Sequence, residues 1–283
     1  MPLPILNSPA QATPESLVRY FHQTEQRLAE HLGEVTALDV GTAIANPALS
    51  NVHDANVLLD AAIPEGMSAA EVFDLAQAHF AAQGTRWWKC VLNPSLPAER
   101  TAPFAEHLVA NGYTRENSDI LYLDRMPTAT VAEAAGVRII PARASYRHAR
   151  QLAEEMAAAV GEPQVAELLI LDLDDPHWDA VLALIGTEAA GHVGVLAAGE
   201  IGRIETLHVS EKHRRHGVGR TLMSRALEIC ARSLFKHVFL SCRAENAPAQ
   251  ALYAQLGFRK VGEFVEYRAA KESPGSAALR PGA

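Results

Sequence analysis

The chain has 283 residues, 48% hydrophobic and 20% charged, with a net charge of −8. These values suit a folded globular protein of about two domains and exclude bulk disorder, collagen-like sequence and a small disulfide scaffold. The negative balance argues against a broad nucleic-acid-binding face, so any basic patch has to be local.

No apolar run approaches the ~20 residues that span a bilayer. Residues 1–6 carry no basic side chain and too short an apolar stretch for a signal peptide. Cys90, Cys230 and Cys242 form no CxxC pair and are odd in number, so a reduced, cytoplasmic setting is expected. Taken in chain order, residues 69–83 read as a helix and 87–92 as an apolar strand. A polar turn, a second helix and a strand at 120–123 follow. Around 127–136, Pro, Thr, Ala and Gly replace the periodic hydrophobics, as in a linker. Residues 137–141 read as a strand. The next helix, 147–160, places Ala149, Leu152, Ala153, Met156 and Ala157 on one face. Residues 164–171 form a further helix, and 180–185, 192–197 and 203–209 an antiparallel meander. A long helix at 220–233, a strand at 237–240, a helix starting near Pro248 and a strand at 264–267 complete the order. A disordered tail is expected at 269–283, which is rich in Pro, Gly, Ser and Ala.

The two halves end alike. Leu108-Val109-Ala110-Asn111-Gly112-Tyr113 leads into a strand, as does Tyr253-Ala254-Gln255-Leu256-Gly257-Phe258, and Tyr113 and Phe258 lie 145 positions apart. Each is preceded by helix, strand and helix at matched spacing, which points to duplication. The expected fold is therefore mixed α/β (α+β). It comprises two similar domains, 14–126 and 137–268, each a mostly antiparallel sheet flanked by helices, unlike a doubly wound Rossmann domain.

The segment from Glu205 to Thr221 carries the chemistry. A strand containing Leu207, His208 and Val209 runs into a turn with Arg214, Arg215, His216, Gly217, Val218 and Gly219. A helix then opens at Arg220 and Thr221. The first turn of a helix offers unpaired N–H groups and the positive end of the macrodipole. Glycines there let a diphosphate approach the backbone. A Walker A loop is absent, and the Rossmann pattern fails because Leu222 stands where its third glycine belongs.

Arg214-x-x-Gly217-x-Gly219 at a strand-to-helix turn resembles the acyl-CoA diphosphate motif of the GCN5-related N-acetyltransferases (GNAT). Asn246 through Tyr253 to Gly257-Phe258 resembles that family's second signature, and both stand in the family's order and spacing. The resemblance covers 137–268. It implies acetyl-CoA or another acyl-CoA as donor and direct transfer to an amine. The Leu207–Val209 strand would splay at a bulge and bind the pantetheine arm. Leu207, His208, Val209, Arg214, Arg215, His216, Gly217, Val218, Gly219, Arg220, Thr221, Asn246 and Tyr253 would contact the cofactor.

By the same resemblance Tyr253 is the general acid, a role suited to a phenol that stays protonated at neutral pH. Glu205 matches a base used by polyamine-acetylating relatives, although a strand carboxylate can equally be exposed or paired with an arginine. His208 is a second candidate base, which strand alternation turns away from Glu205's face. Relatives that modify protein N-termini place a glutamate where this chain has Ser241, so a small-molecule amine is the preferred acceptor. Zinc at His208, His213 and His216 is disfavoured by the neighbouring arginines, and no metal is expected. Cys242 reads as packing rather than as a nucleophile.

In the first half, Leu108 stands in the place of Tyr253 and no Arg-x-x-Gly-x-Gly precedes the 69–83 helix. That half is expected to be a degenerate domain that packs on the active one and walls the acceptor site, with Trp87 and Trp88 as core or interface residues. The rival readings are a non-catalytic acyl-CoA sensor, a protein or peptide N-acetyltransferase, and transfer of a longer acyl chain. Oligomeric state leaves no mark on the sequence.

Overall fold

The computed structural model describes residues 12–85, 87–126 and 134–270. The segment 1–6, most of the expected linker and the tail beyond 270 lie outside the described residues. The first half runs α1 (Pro14–Ala29), β1 (Glu34–Leu38), β2 (Gly41–Ala45), β3 (Val57–Ala61), α2 (Ala69–Ala82), β4 (Lys89–Leu92), α3 (Ala102–Ala110) and β5 (Tyr113–Leu123). The second runs β6 (Val137–Pro141), α4 (Tyr146–Val160), α5 (Val165–Leu171), β7 (Trp178–Ile185), β8 (Glu188–Ala198) and β9 (Ile201–Val209). It continues through α6 (Val218–Arg232), β10 (His237–Cys242), α7 (Ala247–Gln255) and β11 (Phe258–Ala269). Thus β3-α2-β4-α3-β5 repeats as β9-α6-β10-α7-β11.

The strands form one mostly antiparallel sheet of eleven, in the order β1-β2-β3-β4-β11-β5-β10-β9-β8-β7-β6. Sequence reading gives each half its own sheet; the structure joins them because the last strand of each half crosses over. β11 pairs with β4 through Tyr267↔Cys90, and β5 pairs with β10 through Ser241↔Ile120. The two crossed strands pair with each other from Phe258↔Leu123 to Ala269↔Tyr113. Each therefore satisfies its backbone groups in the other half's territory.

Helices cover both faces. One face carries α6 and α7, whose Leu222, Ala226 and Tyr253 pack on Val193, Ile204 and Leu240. Along the same face, α2 and α3 bury Phe80, Phe104 and Leu108 against Leu58 and Cys90. Trp88 belongs to this core, stacked on Phe80 with ring centroids 5.1 Å apart. The opposite face carries α1, with Leu17 and Phe21 on Phe239 and Phe264, and α4, with Leu152 on Trp178 and Leu182.

The helix α1 and the strands β1 to β3 are absent from the sequence reading. Thr13 caps α1 and Pro14 opens it. Its buried stripe joins apolar Leu17, Phe21 and Ala29 at helical spacing with two polar residues, Thr24 and Glu25. Polar contacts tie α1 and the turn after it to the second half, among them Arg27 to Asp175 at 2.8 Å, His31 to Asp172 at 2.9 Å, and Arg203 to Thr24 at 2.8 Å.

Because neither half completes its share of the sheet alone, the two should unfold together. Calorimetry of the full chain should give a single transition with matching van't Hoff and calorimetric enthalpies. Two resolved transitions would mean that the crossed strands do not couple the halves.

Candidate functional site

β9 is pinned on one edge and splayed on the other. It pairs in parallel with β10 only from His237↔Ile201 to Phe239↔Arg203, and beyond Arg203 the two strands part. On its other edge β9 follows β8, but the register shifts between Gly194↔Glu205 and His192↔His208. Two residues, Thr206 and Leu207, thus face one, a β-bulge with Thr206 at φ +53°. A threonine in the left-handed region is strained and needs surrounding structure to hold it. Buried His192 does so, with Nδ1 3.2 Å from the Thr206 carbonyl. Burial lowers the His192 pKa to about 4, so its ring is neutral at working pH and Nδ1 must carry the donated proton.

The bulge corrects one sequence expectation. Strand alternation turns His208 away from Glu205, but the extra residue resets the parity, and both then lie opposite His192 and Gly194 on one face. His208 nevertheless meets Glu155 of α4, at 3.3 Å, and lines neither cavity described below. Burial lowers its pKa, with Glu155 opposing the shift.

The splay opens a cleft of about 270 Å³ that brings together Glu205, Leu207, Ser241, Asn246 and Tyr253. Asn246 caps α7, accepting from the Ala249 N–H at 3.4 Å. Tyr253 is 7% exposed, packed edge-on against Phe258. Burial, reinforced by Cys242 and Glu205, raises its pKa well above the usual phenol range, so the hydroxyl stays protonated. Cys242 is buried and its thiol pKa is raised by that burial, which suits packing rather than nucleophilic chemistry.

The turn to α6 follows the strand. Arg214, Arg215, His216 and Gly217 lead in, with Arg215 at φ +64° and Gly217 at φ +79°. No side chain caps α6, so its amino-terminal N–H groups face outward without a side-chain acceptor. Arg214 Nε donates to the Val209 carbonyl at 3.2 Å, and Arg220 reaches Gln255. Val218 is buried in the core, which leaves only its backbone for a ligand, and Gly219 packs beside Val209. Thr221 departs from expectation. It is 2% exposed, its hydroxyl accepts from the Ala134 N–H, and its own amide bonds the Gly217 carbonyl. Its polar groups are thus engaged in holding the turn. No group of His, Cys, Asp and Glu suited to a metal occurs among the described residues.

A second cavity, of about 310 Å³, adjoins the cleft on the α1 side of the sheet and shares Ser118, Glu205, Thr206 and Ser241 with it. Its walls come from both halves. Arg203, 3% exposed, lies over the Phe21 ring at 4.2 Å and bonds Glu25, Thr24 and Glu205. Glu205 is therefore paired with an arginine that also holds a carboxylate of the first half. At the far end Lys89 bonds Asp54 at 2.6 Å and Glu266 at 2.9 Å, and Arg268 meets the same two acids. Sequence reading missed Glu25, Arg203, His192 and this far cluster. Only Arg203 left a signal, standing two residues before Glu205 and so on its face.

Residues 143–258 match the acetyltransferase (GNAT) family. The second half thus carries a GNAT domain. The chain is 30% identical over 121 residues to mycothiol acetyltransferase of Clavibacter michiganensis, a match covering 40% of each protein. It is 30% identical over 95 residues to the N-alpha-acetyltransferase RimI of Mycobacterium tuberculosis, covering 32% of this chain and 58% of the relative. The chain thus spans less than two-thirds of these relatives. In fold it resembles a GCN5-related N-acetyltransferase from Kribbella flavida, with TM-score 0.61 and 17% identity over 96% of this chain and all of that one. A tandem GNAT protein from the clavulanic acid biosynthesis pathway gives TM-score 0.50 at 21% identity, over 71% of this chain and 67% of that one. No described helix is long and apolar enough to cross a membrane.

An unfolded histidine takes its proton near 6.5, whereas His192 in the fold waits until about 4. Its stabilising contribution is therefore complete above about pH 6.5 and is lost as pH falls towards 4. Thermal melts across that window should show His192→Gln losing less stability on acidification than the parent. Parallel curves would count against a buried neutral ring.

Proposed function

We propose that the protein transfers an acetyl or other acyl group from an acyl-CoA to an amine, with the active site at the splay between β9 and β10. The observation that carries this reading is that one cleft joins the open strand edge, Tyr253 and Glu205, beside a helix start without a side-chain cap. The residues fit the donor. Gly217 holds a left-handed conformation, and the first turn of α6 offers N–H groups to a diphosphate. The unpaired edge of Leu207–Val209 offers its backbone to the amide-bearing arm as an added strand would. When bound, the donor supplies an activated thioester; the chain's own residues supply position and protons.

In this reading Tyr253 is the acid. Its protonated hydroxyl gives a hydrogen bond, and then the proton, to the departing thiolate sulfur. Glu205 receives the proton that the amine sheds as it forms the new C–N bond, directly or through one water. Arg203 holds Glu205 at the mouth of the second cavity, and that cavity admits the acceptor from the α1 side. A volume of about 310 Å³ is at the low end for small-ligand sites, which supports a small molecule rather than a folded protein as acceptor. The first half then contributes the far wall of the acceptor site.

Free thiol release from acetyl-CoA, measured over a panel of amines, tests this function. Tyr253→Phe should lower kcat on the order of a hundredfold while coenzyme A affinity by calorimetry stays near the parent value. Gly217→Val should do the reverse, weakening coenzyme A binding because a β-branched residue resists φ +79°. Binding without thiol release on any amine would favour the sensor reading instead.

A further inference from the structure

The charges around the acceptor cavity are unevenly matched. At the end next to the cleft, the single guanidinium of Arg203 faces two carboxylates, Glu25 and Glu205. At the far end Lys89 and Arg268 face Asp54 and Glu266, two against two. Between them the lining is mostly apolar, from Leu28 and Leu32 at the end of α1 and just beyond, Leu168 and Leu169 of α5, Met156 of α4 and Phe264 of β11; its one carboxylate there, Asp172, is held by His31 at 2.9 Å. A negative charge without its own counter-ion in a buried site is costly, and an arriving cation relieves that cost. The far cluster is already balanced, and a further charged group there would have to break an existing pair.

We propose that the acceptor is a monocationic amine with an uncharged, apolar body, its ammonium drawn to the Glu25–Arg203–Glu205 end and its body laid beneath Leu168 and Leu32. This rests on the acyl-transfer reading above, since it takes the cavity as the acceptor's path to the cleft. An α-amino acid is the wrong shape of charge, because its carboxylate, one carbon from the nitrogen, would face Glu205 and Glu25. An aliphatic diamine is wrong at its other end, where a second ammonium would be stripped of water among leucines or would have to displace His31 from Asp172. An amine that keeps its side chain but lacks the carboxylate satisfies both ends. Glu25 lies on the first half and touches no donor-binding residue, so that half is given a share in acceptor choice.

The test is calorimetric binding to the full chain saturated with coenzyme A, which needs no turnover. The probes are phenethylamine against phenylalanine, pentylamine against norleucine, and cadaverine as the dication. Phenethylamine and pentylamine should bind at least about tenfold tighter than their amino-acid partners and than cadaverine, as one ion pair gained or opposed implies. Glu25→Gln should weaken both amines about tenfold, and Leu168→Trp, which fills the apolar section, should weaken them further. In each variant, coenzyme A affinity and the thermal midpoint report that the fold is intact. Equal or tighter binding of phenylalanine or cadaverine would overturn the assignment. So would failure of both simple amines to bind at millimolar concentration, or indifference to both substitutions. Amine binding of the expected order without thiol release would instead remove the catalytic reading and leave the cavity assignment standing. Turnover confined to zwitterionic amines would do the opposite.

Discussion

The crossing of β5 and β11 is the constraint on which the site depends. On one edge β10 is committed to β5 from Phe239↔Tyr122 to Cys242↔Asp119, while on the other it leaves β9 after Phe239. A strand unpaired on both edges would have no reason to stay extended across those residues. The first half's last strand therefore holds the far wall of the cleft in place, and the near wall is free to part from it beyond Arg203. Ser241 and Tyr253 keep their positions because a strand from another half of the molecule fixes their neighbour. The same crossing carries Phe264, Glu266 and Arg268 of β11 under α1, where they line the second cavity.

The sheet then separates two kinds of traffic. On one face, α6 and α7 present a helix start without a side-chain cap and the Tyr253 ring. On the other, α1, α4 and α5 enclose an apolar space with charged ends. Glu205 belongs to the second face and Tyr253 to the first, and the gap between β9 and β10 is where they meet. A regular sheet would have kept these groups apart, since the ladder would have filled the space between them. The bulge at Thr206 is thus not incidental. It re-aims β9 on its β8 edge, just past the last pair with β10 at Arg203, and His192 maintains it with one buried hydrogen bond.

What could be read in the sequence was what the backbone does locally. The turn from Val209 to Gly219 and the helix from Asn246 to Tyr253 are short, contiguous stretches whose residue types follow from local geometry. The order helix, strand, helix, strand in each half was legible for the same reason. The joining of the sheets was not, because the pairing of Ile120 with Ser241 leaves no trace in either segment. The reset of parity at the bulge was equally hidden, since a threonine with positive φ has no sequence signature and the simple alternation rule then misplaces His208. Glu25 is a carboxylate on the buried face of an amphipathic helix, and its meaning lies in Arg203, 178 positions away.

Comparing the halves shows what a site of this kind requires beyond its fold. Asp60 in β3 has φ +52° and stands 146 positions before Thr206, so the first half keeps a trace of the same irregularity. Yet β3 pairs with β4 past that point, through Ala61↔Leu92, where β9 and β10 stay apart. The helix that follows, α2, is closed by a capping box in which Ser68 accepts from the Glu71 N–H and the Glu71 carboxylate bonds the Ser68 N–H at 2.7 Å. A carboxylate thus stands where α6 has no side-chain cap, and a second anion there would meet like charge as well as occupied donors. Leu108, fully buried, replaces Tyr253 and has no proton to give. The strand gap and the helix start are closed, and the tyrosine is gone with them. What that half retains is its outer surface towards α1 and β3, the surface from which the cavity beside Glu205 is walled.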